Sequence, residues 1–202
     1  MESSIRQTGD LSEEEVLRAS MYAMLGKLLS TEPDAETLAE LSTLEGDESS
    51  LGLALHALGA SARTIDLAAA NDEFHALFIG MNGGELSPYS SFYLTGFLYE
   101  KPLAELRARM AEFGIERADG IAEPEDHIAS VCEMMAGLIT GEFGEPADLE
   151  TQQNFFEEHI ASWASKFFTD LEKAQASALY MPLGTIGRLF MEIEVEGFRM
   201  AA

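Results

Sequence analysis

Apolar residues recur along this chain at intervals of three and four, the spacing that gives a helix one buried face. Ser12 and Glu15 form a capping box ahead of Val16, Ala19/Ser20, Ala23/Met24 and Lys27/Leu28, which predicts a first helix. Pro33 stands near the start of a short second helix reaching Leu41, and "EGDESS" reads as a loop or cap. Leu51, Leu55, Leu58 and Ala62 predict a third helix. In "TIDLAAANDEFHALFIG", residues Ile65, Ala69, Phe74, Leu77 and Phe78 fall largely on one side, with Gly80 as a stop.

"MNGGELSP" has the composition of a turn. The aromatic run "YSSFYLTGFLYEK" has strand propensity, but the chain offers no second strand to pair with it, so it is expected to be a short helix or an irregular docking segment. Pro102 opens a helix through Leu103, Leu106, Met110 and Phe113, and Gly114 closes it. "ERADGIAE" is charged and glycine-containing, and is the expected hinge, near 114–123, between an N-terminal half (1–117) and a C-terminal half (118–202). Three long helices are then predicted. The first runs from Pro124 to about Thr140 with Ile128, Val131, Met135 and Leu138 inward. The next runs from about Asp148 to Lys173 with Phe156, Ile160, Trp163 and Phe167. The last runs from about Ser177 to Glu196 with Leu183, Ile186, Leu189, Phe190 and Ile193. The expected fold is all-α, a single globular bundle of two closely packed helical halves.

With 202 residues and 47% hydrophobic content the chain can bury a substantial core. No segment approaches the roughly 20 uncharged apolar residues of a membrane span. The opening "MESSIRQTGDLSEEE" lacks the basic-then-apolar order of a secretory signal. Cys132 is the sole cysteine, so neither an internal disulfide nor a cysteine zinc site can form. A cytoplasmic location is expected. The net charge of −24 repels phosphate backbones and anionic membranes, and favours cationic partners. Acids are also segregated: no Lys or Arg occurs from Thr64 to Glu100, nor between Arg117 and Lys166. An even solubilising coat does not require such windows.

The second window contains "GIAEPEDHIASVCEMM". Pro124 suits a first helical position, and Glu123, Glu125 and Asp126 suit the positive end of a helix dipole. A protonated His127 would be opposed by that dipole, whereas a neutral one can still make a hydrogen bond. A structural role for His127 and a working Asp126–His127 pair both remain open on these residues. The histidines His56, His75, His127 and His159 are scattered without an H-x₃-H pair, which argues against a metal centre. A helical metal-dependent hydrolase using His75, His127 and Asp126 is the alternative reading. Cys132 sits among apolar neighbours, and neither a G-x-S-x-G elbow nor a phosphate-binding glycine loop is present.

Three motifs, "PYSSFYLTG" (88–96), "EPEDHIASVCEMMAGLI" (123–139) and "QQNFFEEHIASWASKFFTDL" (152–171), occur in an order and spacing that resembles the TorD/DmsD/NarJ family. Its members are cytoplasmic chaperones of molybdenum-containing oxidoreductases. The likeness covers about residues 74–196. It implies an all-helical, non-enzymatic protein without cofactor. The partners implied are the twin-arginine signal peptide and the apo-form of a molybdenum-containing reductase or dehydrogenase, held until the cofactor is inserted. The expected hinge between two helical halves leaves room for a monomer or a domain-exchanged dimer. Carried over by position, Pro124, Asp126 and His127 match the family's characteristic step, and Tyr89 and Ser91 its upstream motif, with Ser90 standing where many relatives carry Glu. Glu123 or Glu125 is expected to join Asp126 in taking one guanidinium, and Tyr89, Phe92 and Tyr93 to wall an apolar groove.

Overall fold

The computed structural model describes residues 11–80, 83–117, 123–175 and 177–201, and among these no strand occurs. The central residues of the expected hinge, 118–122, and the opening ten residues lie outside the described part. Among the described residues there are ten α-helices: α1 (Glu13–Ser30), α2 (Ala35–Ser42), α3 (Ser50–Thr64), α4 (Leu67–Phe74), α5 (Ser90–Thr95), α6 (Lys101–Phe113), α7 (Ile128–Thr140), α8 (Leu149–His159), α9 (Ala164–Glu172) and α10 (Tyr180–Ala201). The all-α expectation holds.

Local chemistry sets most of the boundaries. Ser12 and Glu15 close the expected capping box on α1. Asp34, Ser49, Asp66 and Asp148 each accept a backbone N–H at the start of α2, α3, α4 and α8. Gly96, Gly114 and Gly141 end α5, α6 and α7 in the left-handed conformation. A π-helical turn, His75–Ile79, extends α4 to Gly80.

Three expectations need correction. Along α1 the buried face is Ala19, Tyr22, Leu25, Leu28 and Leu29, while Val16, Ala23 and Lys27 lie outside, because Tyr22 and Leu25 bury more apolar surface than the frame chosen from Val16. The helix expected from Pro124 begins four residues later, at Ile128. The helix expected over 148–173 is broken between His159 and Ala164, although Phe156, Ile160, Trp163 and Phe167 are all buried as predicted.

The core is continuous. α1 lies along α7, and α10 packs on both α9 and α3, so helices from before and after residues 118–122 bury one another's apolar faces. α9 and α10 approach closely because α10 carries Gly184 and Gly187. A Cβ at Gly187 would stand 2.2 Å from the Phe168 ring, and one at Gly184 2.5 Å from the Glu172 backbone nitrogen. Across α1 and α10, Arg18 forks Glu194 with Nε at 2.7 Å and Nη2 at 2.8 Å, and Tyr22 adds its hydroxyl at 2.9 Å.

Candidate functional site

The two motif stretches meet in space although about 35 residues separate them. Ser90 N donates to the Asp126 carbonyl at 3.0 Å and Ile128 N to the Pro88 carbonyl at 2.8 Å, forming an antiparallel bridge between Tyr89 and His127. Each stretch then helps to start a helix. Tyr89, at the N-cap of α5, offers no side-chain cap of its own. The Asp126 carboxylate supplies it, accepting Ser91 N at 2.8 Å and the Ser90 hydroxyl at 3.2 Å. His127 caps α7 by accepting Ala129 N on Nδ1 at 3.1 Å. That bond requires a neutral ring. Burial, opposed by the charges of Glu123 and Asp126, pushes the His127 pKa down to about 4. The ring also packs edge-on against Tyr89 at 5.1 Å.

These contacts explain why α7 does not start at Pro124. Residues 123–127 turn back to meet Pro88–Ser90, with His127 N bonded to the Pro124 carbonyl at 3.2 Å. The carboxylates therefore precede the helix, and their places differ. Asp126 is 1% exposed and faces Ser90 and Ser91. Glu123 is exposed and receives the Tyr89 hydroxyl. Glu125, 9% exposed, accepts Arg107 Nε at 3.0 Å and Nη2 at 2.7 Å. Burial pushes the Glu125 carboxyl up, but Arg107, its own backbone N–H and Arg117 together bring it below the usual carboxylate range.

Asp126→Ala removes a charged acceptor from two buried donors, and charge-assisted bonds of this kind contribute about 1.5–3 kcal/mol each. The expected loss of stability is about 2–4 kcal/mol, with faster hydrogen exchange at the Ser91 amide. Asp126→Asn, which keeps an acceptor of the same shape, is expected to retain most of both. Equal behaviour of the two variants in urea unfolding would argue against the capping role.

Beside Glu123 and Glu125 opens a groove of about 530 Å³ between α1, α6 and α7. Met110, Ile115, Met134, Ala136 and Phe143 make its apolar surface. Five carboxylates line it, those of Glu116, Glu123, Glu125, Glu133 and Glu142, together with Lys27 and Arg117. Burial and the neighbouring Glu142 raise the Glu133 carboxyl above its ordinary range, and no Lys or Arg partner for Glu133 is found among the described residues.

Of the residues expected at the site, the clasp joins Tyr89, Ser91, Glu123, Pro124, Glu125, Asp126 and His127, but only Glu123 and Glu125 line the groove. Phe92 and Tyr93 lie around a separate hollow with Leu86, Lys166 and Asp170. Tyr93 packs against Trp163 and Phe167 and bonds Asp170 at 3.1 Å. Phe92 belongs to an exposed apolar turn with Leu94, Phe97, Leu98 and Tyr99, the last at φ +61°. Residue pattern missed the groove's real floor. Its one sequence trace is the "CEMMAGL" run, whose Met134 lines the groove from α7. A second apolar groove, about 560 Å³, lies between α1 and α10 and is lined by Leu17, Met21, Phe190, Ile193 and Phe198.

The hydrolase alternative finds no support. His75 pairs with Glu32 at 2.6 Å, and among the described residues no three His, Cys, Asp or Glu side chains are placed to hold a metal. No described helix is long and apolar enough to cross a membrane.

The fold is similar to that of a protein assigned to redox enzyme maturation in Archaeoglobus fulgidus, with a TM-score of 0.57 and 19% identity over 95% of this chain and 99% of that one. The chain belongs to the nitrate reductase delta subunit family, the TorD/NarJ family, whose model matches residues 44–169. Its curated relatives include proteins named chaperone protein TorD. The one from Vibrio parahaemolyticus is 25% identical over 130 residues, which is 60% of this chain and 60% of that protein. The one from Psychrobacter is 28% identical over 74% of this chain and 76% of its own length. The one from Vibrio cholerae is 26% identical over 87% of this chain and 89% of its own length.

Proposed function

We propose that the protein is a maturation chaperone for a molybdenum-containing oxidoreductase, and that it holds the client's twin-arginine signal peptide in the groove beside residues 123–127. It acts by binding, not by catalysis. The observation that carries the reading is five carboxylates around an apolar floor, joined to the clasp formed by the two family motifs. A twin-arginine leader offers the complement: two guanidiniums followed by an apolar segment able to turn helical.

The two parts of such a ligand are used differently. Exposed ion pairs contribute only about 0–1 kcal/mol each, so the rim steers encounter and selects arginine. Micromolar affinity needs about 8 kcal/mol, which must come mainly from apolar contact at about 25 cal/mol per Å². Met110, Met134 and Phe143 supply adaptable surface for it. Asp126, His127, Pro124, Tyr89 and Ser91 fix the rim's position, while Phe92 and Tyr93 contribute a neighbouring surface.

Calorimetry with a synthetic peptide carrying Arg-Arg ahead of an apolar segment tests this. The Glu133→Lys/Glu142→Lys double variant, which reverses two rim charges, is expected to bind more than tenfold more weakly while unfolding at the same temperature. Leu17→Asp in the second groove is expected to leave binding unchanged. If Leu17→Asp abolishes binding and the charge reversal does not, the peptide lies in the α1–α10 groove and the proposal fails.

A further inference from the structure

The groove is not empty of guanidinium. Glu125 is shared by two arginines of the chain itself, and the two hold it very differently. Arg107, from α6, spends Nε and Nη2 on Oε2 and does not line the groove. Arg117 does line the groove, but its Nη1 stops 4.0 Å from Oε1, beyond hydrogen-bond reach. Among the described residues its one hydrogen bond is from Nη2 to the Glu123 carbonyl at 3.0 Å. Oε1 of Glu125 thus lies beside a cation that neutralises it without forming a direct bond.

We infer that Arg117 is a replaceable stand-in for the client's arginine: it screens Glu123 and Glu125 in the free protein and is displaced when a peptide guanidinium takes its place at Oε1. The inference rests on the proposed function above and deepens it by naming the residue that a bound peptide displaces. Arg117 is partly exposed, so its loose pair contributes little to the fold and is cheap to break. An incoming guanidinium can form the direct, charge-assisted bond at about 2.8 Å that Arg117 does not make. A lysine ammonium lacks the planar fork that can reach Oε1 and the Glu123 carbonyl together. It gains too little to evict Arg117, and a twin-lysine peptide must bind with Arg117 still in place. The resident arginine is then a competitor that only a guanidinium displaces, so it lowers the affinity of the twin-arginine peptide and leaves that of the twin-lysine peptide as it is.

The test is peptide affinity, measured by fluorescence anisotropy on the full chain with twin-arginine and twin-lysine versions of one apolar peptide. Arg117→Gln is expected to tighten the twin-arginine peptide about 3- to 5-fold and to change the twin-lysine peptide less than about 2-fold, as loss of one exposed pair predicts. Lys27→Gln removes the same charge from the same groove, where Lys27 pairs with Glu40. It is expected to change either peptide less than about 2-fold. In the Arg117→Gln/Glu125→Gln double variant the gain disappears. Equal tightening by Arg117→Gln and Lys27→Gln, or of both peptides by Arg117→Gln, shows general repulsion and overturns the inference. So does an unchanged twin-arginine affinity in Arg117→Gln when the unaltered protein binds that peptide. If the unaltered protein binds neither peptide, the proposed function fails and this inference fails with it.

Discussion

Replacing Glu194 with alanine is expected to destabilise the protein by about 3–5 kcal/mol, the usual consequence of removing one partner from a buried ion pair. Glu194 is 3% exposed. It receives both the Arg18 fork and the Tyr22 hydroxyl. Arg18 also donates Nη1 to Gln152 at 2.8 Å, and Gln152 donates to the Ala147 carbonyl at 2.9 Å. The variant therefore strands a guanidinium and a hydroxyl in the interior between α1 and α10. Burial, the largest cause that holds the Tyr22 phenol well above its usual range, persists in the variant, so the ring cannot adapt by ionising. Glu194→Gln, which keeps the shape and an acceptor, is expected to lose clearly less. Urea unfolding followed by circular dichroism checks both, and equal losses would show that charge plays no part in the network.

Trp163→Ala is the second large effect, again about 3–5 kcal/mol, the range for emptying an aromatic site in a packed core. Trp163 is 1% exposed, and its Nε1 donates to the His159 carbonyl at 2.8 Å. That carbonyl belongs to the last residue of α8, where the helix ladder stops. The indole thus packs under Tyr93 and Phe167 and also satisfies the break between α8 and α9. Trp163→Phe keeps much of the packing and drops the bond, for an expected loss of about 1–2 kcal/mol. Because Trp163 is the only tryptophan, helicity and not fluorescence must follow the transition. A fall of less than 1 kcal/mol in Trp163→Ala would mean that the cavity collapses around the missing ring.

The same break shows where sequence reading ran out. Phe156, Ile160, Trp163 and Phe167 keep helical phase across it, so periodicity predicted one long helix and could not register the turn between. Features written in neighbouring residues were legible: the Ser12–Glu15 box, the start of α6 near Pro102 and its end at Gly114. Pro124 was misread because its helix-starting chemistry is real but is overruled by bonds to Pro88 and Ser90, a distant segment that nothing nearby announces. The acidic character of the site was visible in the cation-free window. Arg107 and Arg117, which occupy Glu125, lie at or outside that window's edge, and only folding reveals them there. Asp126 shows both sides of this: its motif marked it as important, while its burial gives it the task of holding another helix's start.

The groove's walls have a temporal consequence. Ala23, Lys27 and Ser30 on α1 face Ser130, Glu133 and Met134 on α7, and the latter leave the ribosome long after the former. During synthesis the first wall has nothing opposite it, so a partly made chain has no such groove. Any ligand that needs both walls must therefore wait until translation has passed α7.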